Sequence, residues 1–246
     1  MIEAQRSGQK LSGDVERDTT LELAEHKLSP GAAVRIRATA DDACVLGTQS
    51  AESRWLSFQV VSADELFYDI LTRQREQRAK LAKALEMSKA QLDALRKLES
   101  TAEANTMLRT HQAIARQVWQ IAGQLNATLQ EMTLNDLGNP TARQLLETSI
   151  IKPLFNLHAT TMTDIRLKYE ALAADSSLSE EHREAASTAQ TTGVEQIQRI
   201  MDQMSQWESF VDVVNQLRNI ISSEEQIRDT TEKTQKEQIK GVFDDE

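Results

Sequence analysis

Long apolar runs are missing from this chain, as are most of the residues that build compact enzymes or cross-linked domains. Of 246 residues, 39% are apolar, 4% are aromatic, 8 are glycine and 3 are proline. No stretch approaches the ~18 consecutive apolar residues that cross a bilayer, and Met1 to Lys10 lacks the apolar core of a signal peptide. These features predict a soluble chain or a soluble piece of a longer protein. The single cysteine, Cys44, cannot form an intramolecular disulfide and has no CxxC or metal-ligand neighbours, so it reads as a passive side chain in a loop or strand end. A net charge of -10 and a pI near 5.0 argue against general affinity for nucleic acid or anionic lipid. Catalytic signatures are absent too: there is no GxxxxGK[ST], GxGxxG, GxSxG or HExxH sequence, and 8 glycines leave little for a phosphate-binding loop. The reading is non-enzymatic, with no catalytic residue, no metal and no cofactor.

What the chain does have is helical periodicity. Ile197, Ile200, Met204, Trp207, Val211 and Val214 follow one another at alternating spacings of three and four, which puts them on one stripe of a helix. Beside it runs a second stripe, Phe210, Val213, Leu217, Ile220 and Ile227, with a polar interruption at Glu224. Two stripes predict a helix that touches two partners at once. A seam does not say whether its partner helix lies in the same chain, so protein partners through helical faces and a homo-oligomer both stay open.

The same rhythm divides the rest of the chain. Residues 1–18 read as a polar lead-in, and 19–62 as a small β element with alternation at Leu21 and Leu23, at Val34, Ile36 and Ala38, and at Leu56, Phe58 and Val60. Pro30-Gly31 marks a turn. Three short strands are only marginally stable alone, so this element resembles the end of a β-sandwich that needs a covering helix or further strands. Ser62 and Glu65 form a capping box that opens a helix without a linker.

From there to residue 241 the spacing predicts a long-helix bundle. The first seam is Phe67, Leu71, Leu81, Leu85, Leu92 and Leu95, with gaps at Gln74, Arg78 and Ser88. Between Glu99 and Thr106 the stripe lapses, which reads either as a break or as a polar stretch of one helix. A second seam follows at Met107, His111, Ile114, Val118, Ile121, Leu125, Thr128 and Met132, stopped by Leu137-Gly138-Asn139-Pro140. A third region begins near Thr141, carries Pro153 where a kink or break is expected, and continues as Phe155, His158, Met162, Ile165, Tyr169 and Leu172. Ser179 caps the last helix, which runs to about Lys240, leaving 242–246 as an acidic tail in which Val242-Phe243 reads as a frayed end or a short docking motif. The fold class is therefore mainly α: an elongated antiparallel helical bundle or coiled coil with a small N-terminal β element.

Three further features bear on function. His111 and His158 fall on seams, where a histidine fixes register or acts as a paired ligand or pH switch. The segment from Arg73 to Lys97 holds eight basic against three acidic residues. Arg73, Arg75, Arg78, Lys80 and Lys83 could contact an anionic polymer or surface, although such a face commonly pairs with an acidic neighbouring helix and no aromatics interleave for base stacking. A helical-bundle small-molecule sensor, with a pocket near Trp119, His158 or Trp207, is the remaining alternative.

Finally, three stretches carry a resemblance. They are Leu28-Ser29-Pro30-Gly31 with Val34-Arg35-Ile36-Arg37-Ala38, Arg54-Trp55-Leu56 and Val60-Val61-Ser62-Ala63-Asp64-Glu65-Leu66; then Arg73-Gln74-Arg75-Glu76-Gln77-Arg78; then Trp207-Glu208, Val213-Val214-Asn215-Gln216-Leu217 and Val242-Phe243-Asp244-Asp245. Together they are similar to the end of the extracytoplasmic β domain and the helical C-terminal part of a group of very large, uncharacterised bacterial membrane-anchored proteins. The resemblance implies a structural or scaffolding piece of the cell envelope, reaching a membrane only through an anchor or partner outside this sequence. It implies no activity.

Overall fold

The structure is a computed structural model that describes residues 26–41, 47 and 49–243, with side chains described for these residues other than 215, 218, 219 and 236–243. Cys44, the Leu21 and Leu23 run, the lead-in and residues 244–246 lie outside the described residues. The chain divides into two compact units, Met1–Leu66 and Phe67–Glu246.

In the first unit, β1 (Ala33–Ile36) pairs antiparallel with β4 (Leu56–Gln59), and β2 (Thr39–Asp41) with β3 (Ser50–Glu52). Val34 faces Phe58 and Ala40 faces Ala51. The register slips by one residue between the two ladders, because 53–55 on one strand oppose 37–38 on the other, as in a β-bulge. Ser53 holds this point: its N–H donates to the Ala38 carbonyl and its Oγ accepts from the Ala38 N–H, both at 2.8 Å. Trp55 in the bulge lies under the guanidinium groups of Arg35 and Arg37, 5.0 and 4.8 Å from its ring centre, and Arg37 also pairs with Glu52. Two strands, β2 and β3, thus lie between the second and third alternating runs read in the sequence. Thr39-Ala40-Asp41 and Ser50-Ala51-Glu52 carry no apolar alternation to read, and even on β1, β4 and the bulge Ile36, Trp55, Leu56 and Phe58 are exposed.

The Ser62 capping box forms as its residue types require: Ser62 Oγ accepts from the Glu65 N–H, and Glu65 accepts from the Ser62 N–H at 3.0 Å. These bonds hold the exposed Glu65 carboxyl below its ordinary range. α1 (Ala63–Leu95) starts here. The lapse at 99–106 proves to be a break: Ser100 caps α2 (Thr101–Leu134), and Glu103 reaches back to the Glu99 N–H. α2 ends at Leu134, with Asn135 as its C-cap and Asp136 left-handed at φ +48°; the chain then turns at Gly138, whose φ of +75° suits glycine and where a Cβ would come within 2.9 Å of the Met132 methyl. Arg143 seals that helix end, its Nη1 donating to the carbonyls of Met132 and Leu137 and to Asp136.

The third helical region, 140–174, opens as α3 (Pro140–Leu145), capped by Asn139. It continues through a π-helical turn at Leu146–Ile151, α4 (Lys152–Asn156), a second π-helical turn at Leu157–Met162, and α5 (Thr163–Ala174). Pro153 therefore neither breaks the helix nor ends it. The preceding turn widens, with the Lys152 N–H bonding the Glu147 carbonyl five residues back, which relieves the crowding a proline ring imposes on an α-helical turn. α6 (Glu180–Phe243) closes the order and extends beyond the end expected near Lys240.

Cross-links give the topology. α1 and α2 run antiparallel, with Gln91 opposite Met107 and Lys80 opposite Gln117. α2 and α5 run antiparallel past His111 and Met162, and α5 and α6 past Tyr169 and Gln190. Gln190 and Ser88 then close α6 onto α1. The result is an up-down-up-down four-helix bundle. Ile114, Val118, Ile121, Leu125, Leu146, Leu154, Leu157, Ile165 and Leu172 fill its core. At Gly193 a Cβ would lie 2.7 Å from Ile165, so this glycine, with Ala186 and Ala189, lets α5 and α6 approach closely. Longer leucine and glutamine side chains hold α1 at a greater distance from its neighbours.

The inward line of α1 differs from the expected seam. It is Ile70, Gln74, Gln77, Leu81, Ala84, Ser88, Gln91 and Leu95, an unbroken alternation of four and three that apolarity alone conceals. Leu71 and Leu85 are buried beside it, whereas Phe67 and Leu92 are half-buried flanks.

Candidate functional site

Most of α6 that faces the bundle is sealed. Ile197, Ile200, Met204, Trp207 and Val211 are buried and Val214 is half-buried. The Trp207 indole N–H donates to the Ala142 carbonyl at 2.8 Å, fixing the helix against the start of the third region. The second stripe has a different surrounding. Phe210 is half-buried, but Val213, Leu217, Ile220, Ile221 and Ile227 are exposed, Leu217 at 53% and Ile227 at 67%. Every described side chain from Gln216 to Gln235 is exposed. The expectation of two partners is therefore met on one side only within this chain, because the helices that cover the first stripe do not reach the second. α6 spans 64 residues, roughly 96 Å at 1.5 Å per residue, much longer than its neighbours.

A polar layer crosses the bundle toward the end that carries the α1–α2 turn. Gln91 of α1 donates to the Met107 carbonyl at 2.6 Å, and His111 Nε2–H donates to the Met162 carbonyl at 2.8 Å. Tyr169 donates to Gln190 Oε1 at 3.2 Å, and Gln190 Nε2 donates to the Ser88 carbonyl at 2.9 Å. Burial lowers the His111 pKa; the Met162 bond opposes this and the Arg166 charge adds to it, so the imidazole is neutral at pH 7. Burial also pushes the Tyr169 phenol well above its usual range, so it stays a hydroxyl donor. Each helix thus meets its neighbours through a polar contact, the arrangement that fixes register, although Gln91 Oε1 is buried without a partner.

On the outer side of this layer a cleft of about 280 Å³ lies between α2 and the second π turn. His111, Gln112, Ala115 and Arg116 form one wall, and His158, Met162, Thr163 and Arg166 the other. Arg166 is paired with Glu170, while Arg116 has no ion pair among the described residues. Trp119, half-exposed, packs edge-on against Phe155 at 5.1 Å and against His158 at 5.0 Å beside the cleft. His111 and His158 come from different helices to one hollow, which two seams read separately do not reveal. Trp207 lies elsewhere, inside the core. A wider open groove of about 660 Å³ between α5 and α6 is lined by Ala185, Thr188, Ala189 and Thr192 with the carboxylates of Asp164, Glu181 and Glu184.

The basic face of α1 is largely answered by acids. Arg73 pairs with Asp69 at 2.9 Å and Glu131 at 2.7 Å, Arg78 with Glu208 at 3.1 Å, and Arg75 with Asp212 at 3.9 Å. Lys80 and Lys83 are exposed, with no ion pair among the described residues. These pairs tie α1 to α2 and α6 and leave two of the five cations open to solvent.

No group of three or more histidine, cysteine, aspartate or glutamate side chains arranged to hold a metal ion occurs among the described residues, and none of the described helices is long and apolar enough to cross a membrane. No protein-family model matches the chain, and none of the curated proteins compared with it matches significantly.

Proposed function

We propose that the chain is a non-enzymatic interaction module, a scaffold or spacer in which the four-helix bundle is the rigid body and the distal half of α6 the docking element. The observation that carries this reading is the uncovered stripe Val213, Leu217, Ile220 and Ile227 on a helix whose proximal stripe is fully packed. A row of large aliphatic side chains in water is costly to keep, at roughly 25 cal/mol per Å² of apolar surface, and contiguous exposed apolar patches mark interaction sites. The non-enzymatic part rests on the missing catalytic motifs, and the cell-envelope setting on the family resemblance alone. In native lysate the wild-type chain is expected to migrate in an assembly larger than its 27.6 kDa monomer, and the Leu217→Ser/Ile220→Ser/Ile227→Ser variant as the monomer. Identical migration of the two would contradict the reading.

A second reading, a small-molecule sensor for a compact anion, is supported by the cleft with Arg116, Arg166, His158 and Gln112. Saturable change of Trp119 fluorescence with citrate or inorganic phosphate, lost in Arg116→Ala, is its expected signature. A flat titration up to about 10 mM, weaker than any affinity of practical use, would dispose of it. Recognition of an anionic polymer through α1 has less support, since Arg73, Arg75 and Arg78 are already paired.

A further inference from the structure

We infer that the occupant of the exposed stripe is a second copy of this chain, bound as an antiparallel two-helix seam between the distal halves of α6. The inference rests on the interaction reading above and names its partner.

The spacing sets the geometry. Phe210, Val213, Leu217, Ile220, Glu224 and Ile227 alternate by three and four, so they form the narrow line that one helix buries against a single other helix. In an antiparallel pair the two kinds of position on that line meet each other across the seam. Placing Leu217 of one copy against Ile220 of the other makes the arrangement symmetric, and it then puts Phe210 against Ile227 and Val213 against Glu224. Val214 and Ile221 fall opposite each other along one flank and widen the apolar strip. Where the line turns polar, at Thr231 and Thr234, the opposing positions on the other copy are Gln206 and Gln203, which are also exposed. Polar thus meets polar, and apolar meets apolar in four of six core layers.

Glu224 decides the direction. A parallel pair in register would set Glu224 against its own copy in the seam, a like-charge contact in an apolar strip. In the antiparallel pair the two Glu224 positions lie eleven residues apart along the axis, roughly 16 Å, beyond the screening length at physiological salt. The stripe is also continuous with an existing interface, since Phe210 and Val214 at its start are half-buried at the bundle edge. Two-fold symmetry closes such a contact as a dimer and leaves no open end.

The full chain carrying Cys44→Ser and a spin label on Lys233→Cys tests both the partner and the direction. Sedimentation of the unlabelled chain at about 100 μM, which detects upper-micromolar affinities, should show a dimer, weakened at least 100-fold by Ile220→Asp. Melting of the bundle in dilute solution should be the same for that variant, which shows that it still folds. The label pair should lie about 44 Å apart along the seam, whereas a parallel pair would hold the labels within about 20 Å. A monomer at that concentration, or the short distance, overturns the inference. A monomeric purified chain whose assembly in lysate still depends on the stripe would leave the interaction reading standing with a different partner.

Discussion

The seam Ile197, Ile200, Met204, Trp207 and Val211 of α6 is buried, whereas Leu217, Ile220 and Ile227, on the same helix and at nearly the same spacing, stand in solvent. The proximal half has α5 and the π-turned segment beside it, Gly193 and Ala189 to bring them close, and Trp207 bonded to a carbonyl across the interface. Among the described residues, the distal half has none of these. A heptad pattern therefore reports only that a helix face is built to be covered. What covers it depends on how far the neighbouring helices extend, and beside Val211 they stop at the Gly138 turn that follows α2 and at the Asn139 cap of α3.

Substitutions on the two halves should separate them most strongly. Val211→Asp puts an unpaired carboxylate at a buried seam position, and a loss on the order of 4 kcal/mol or more is expected, read as a large drop in melting temperature. An unchanged melting temperature would mean that the proximal half is not a core seam. Next in size is the polar layer. Tyr169→Phe removes the donor to Gln190 Oε1 inside the bundle and should cost about 1–3 kcal/mol in denaturant unfolding, because a buried acceptor is left without its partner. A cost below about 0.5 kcal/mol would show that the layer is dispensable.

A smaller, pH-dependent effect follows from His111. Its folded-state pKa lies below the ordinary 6.5, so protonation favours the unfolded chain: the stability it contributes is present above 6.5 and is lost as pH falls below that value. Arg166 facing the ring acts in the same direction. Wild-type denaturant midpoints should decline between pH 7 and 5 more steeply than those of His111→Gln, and parallel profiles would refute the assignment. The smallest effect should come from the distal half. Leu217→Asp, in dilute solution where no partner is bound, should change bundle stability by no more than about 0.5 kcal/mol, measured by Trp207 fluorescence.

How much of this was legible in the residues depended on whether polarity tracked burial. The proximal stripe of α6, the Ser62 capping box, the Gly138-Pro140 stop and the Ser179 cap could be read directly, since each rests on a residue type with one dominant local role. The inward line of α1 could be read only in part: Leu71, Leu81, Leu85 and Leu95 are buried as expected, but the line also runs through polar side chains. Gln91 is buried because its amide meets the Met107 carbonyl, and Ser88 because its own carbonyl accepts from Gln190, so the satisfying partners lie on other helices. β2 and β3 escaped for the opposite reason, being strands with no buried face. At Pro153 the backbone widens one turn instead of breaking, and the cleft beside the second π turn depends on the register of two helices that a single stripe does not encode.

The most direct test is hydrogen exchange along α6 in dilute solution, amide by amide from Ile197 to Gln235. Protection should be high through Val211 and fall by orders of magnitude by Leu217, because only the proximal half is held by other helices. Uniform protection across both halves, or none between Ile197 and Val211, would contradict the division of this helix into a packed half and an uncovered half.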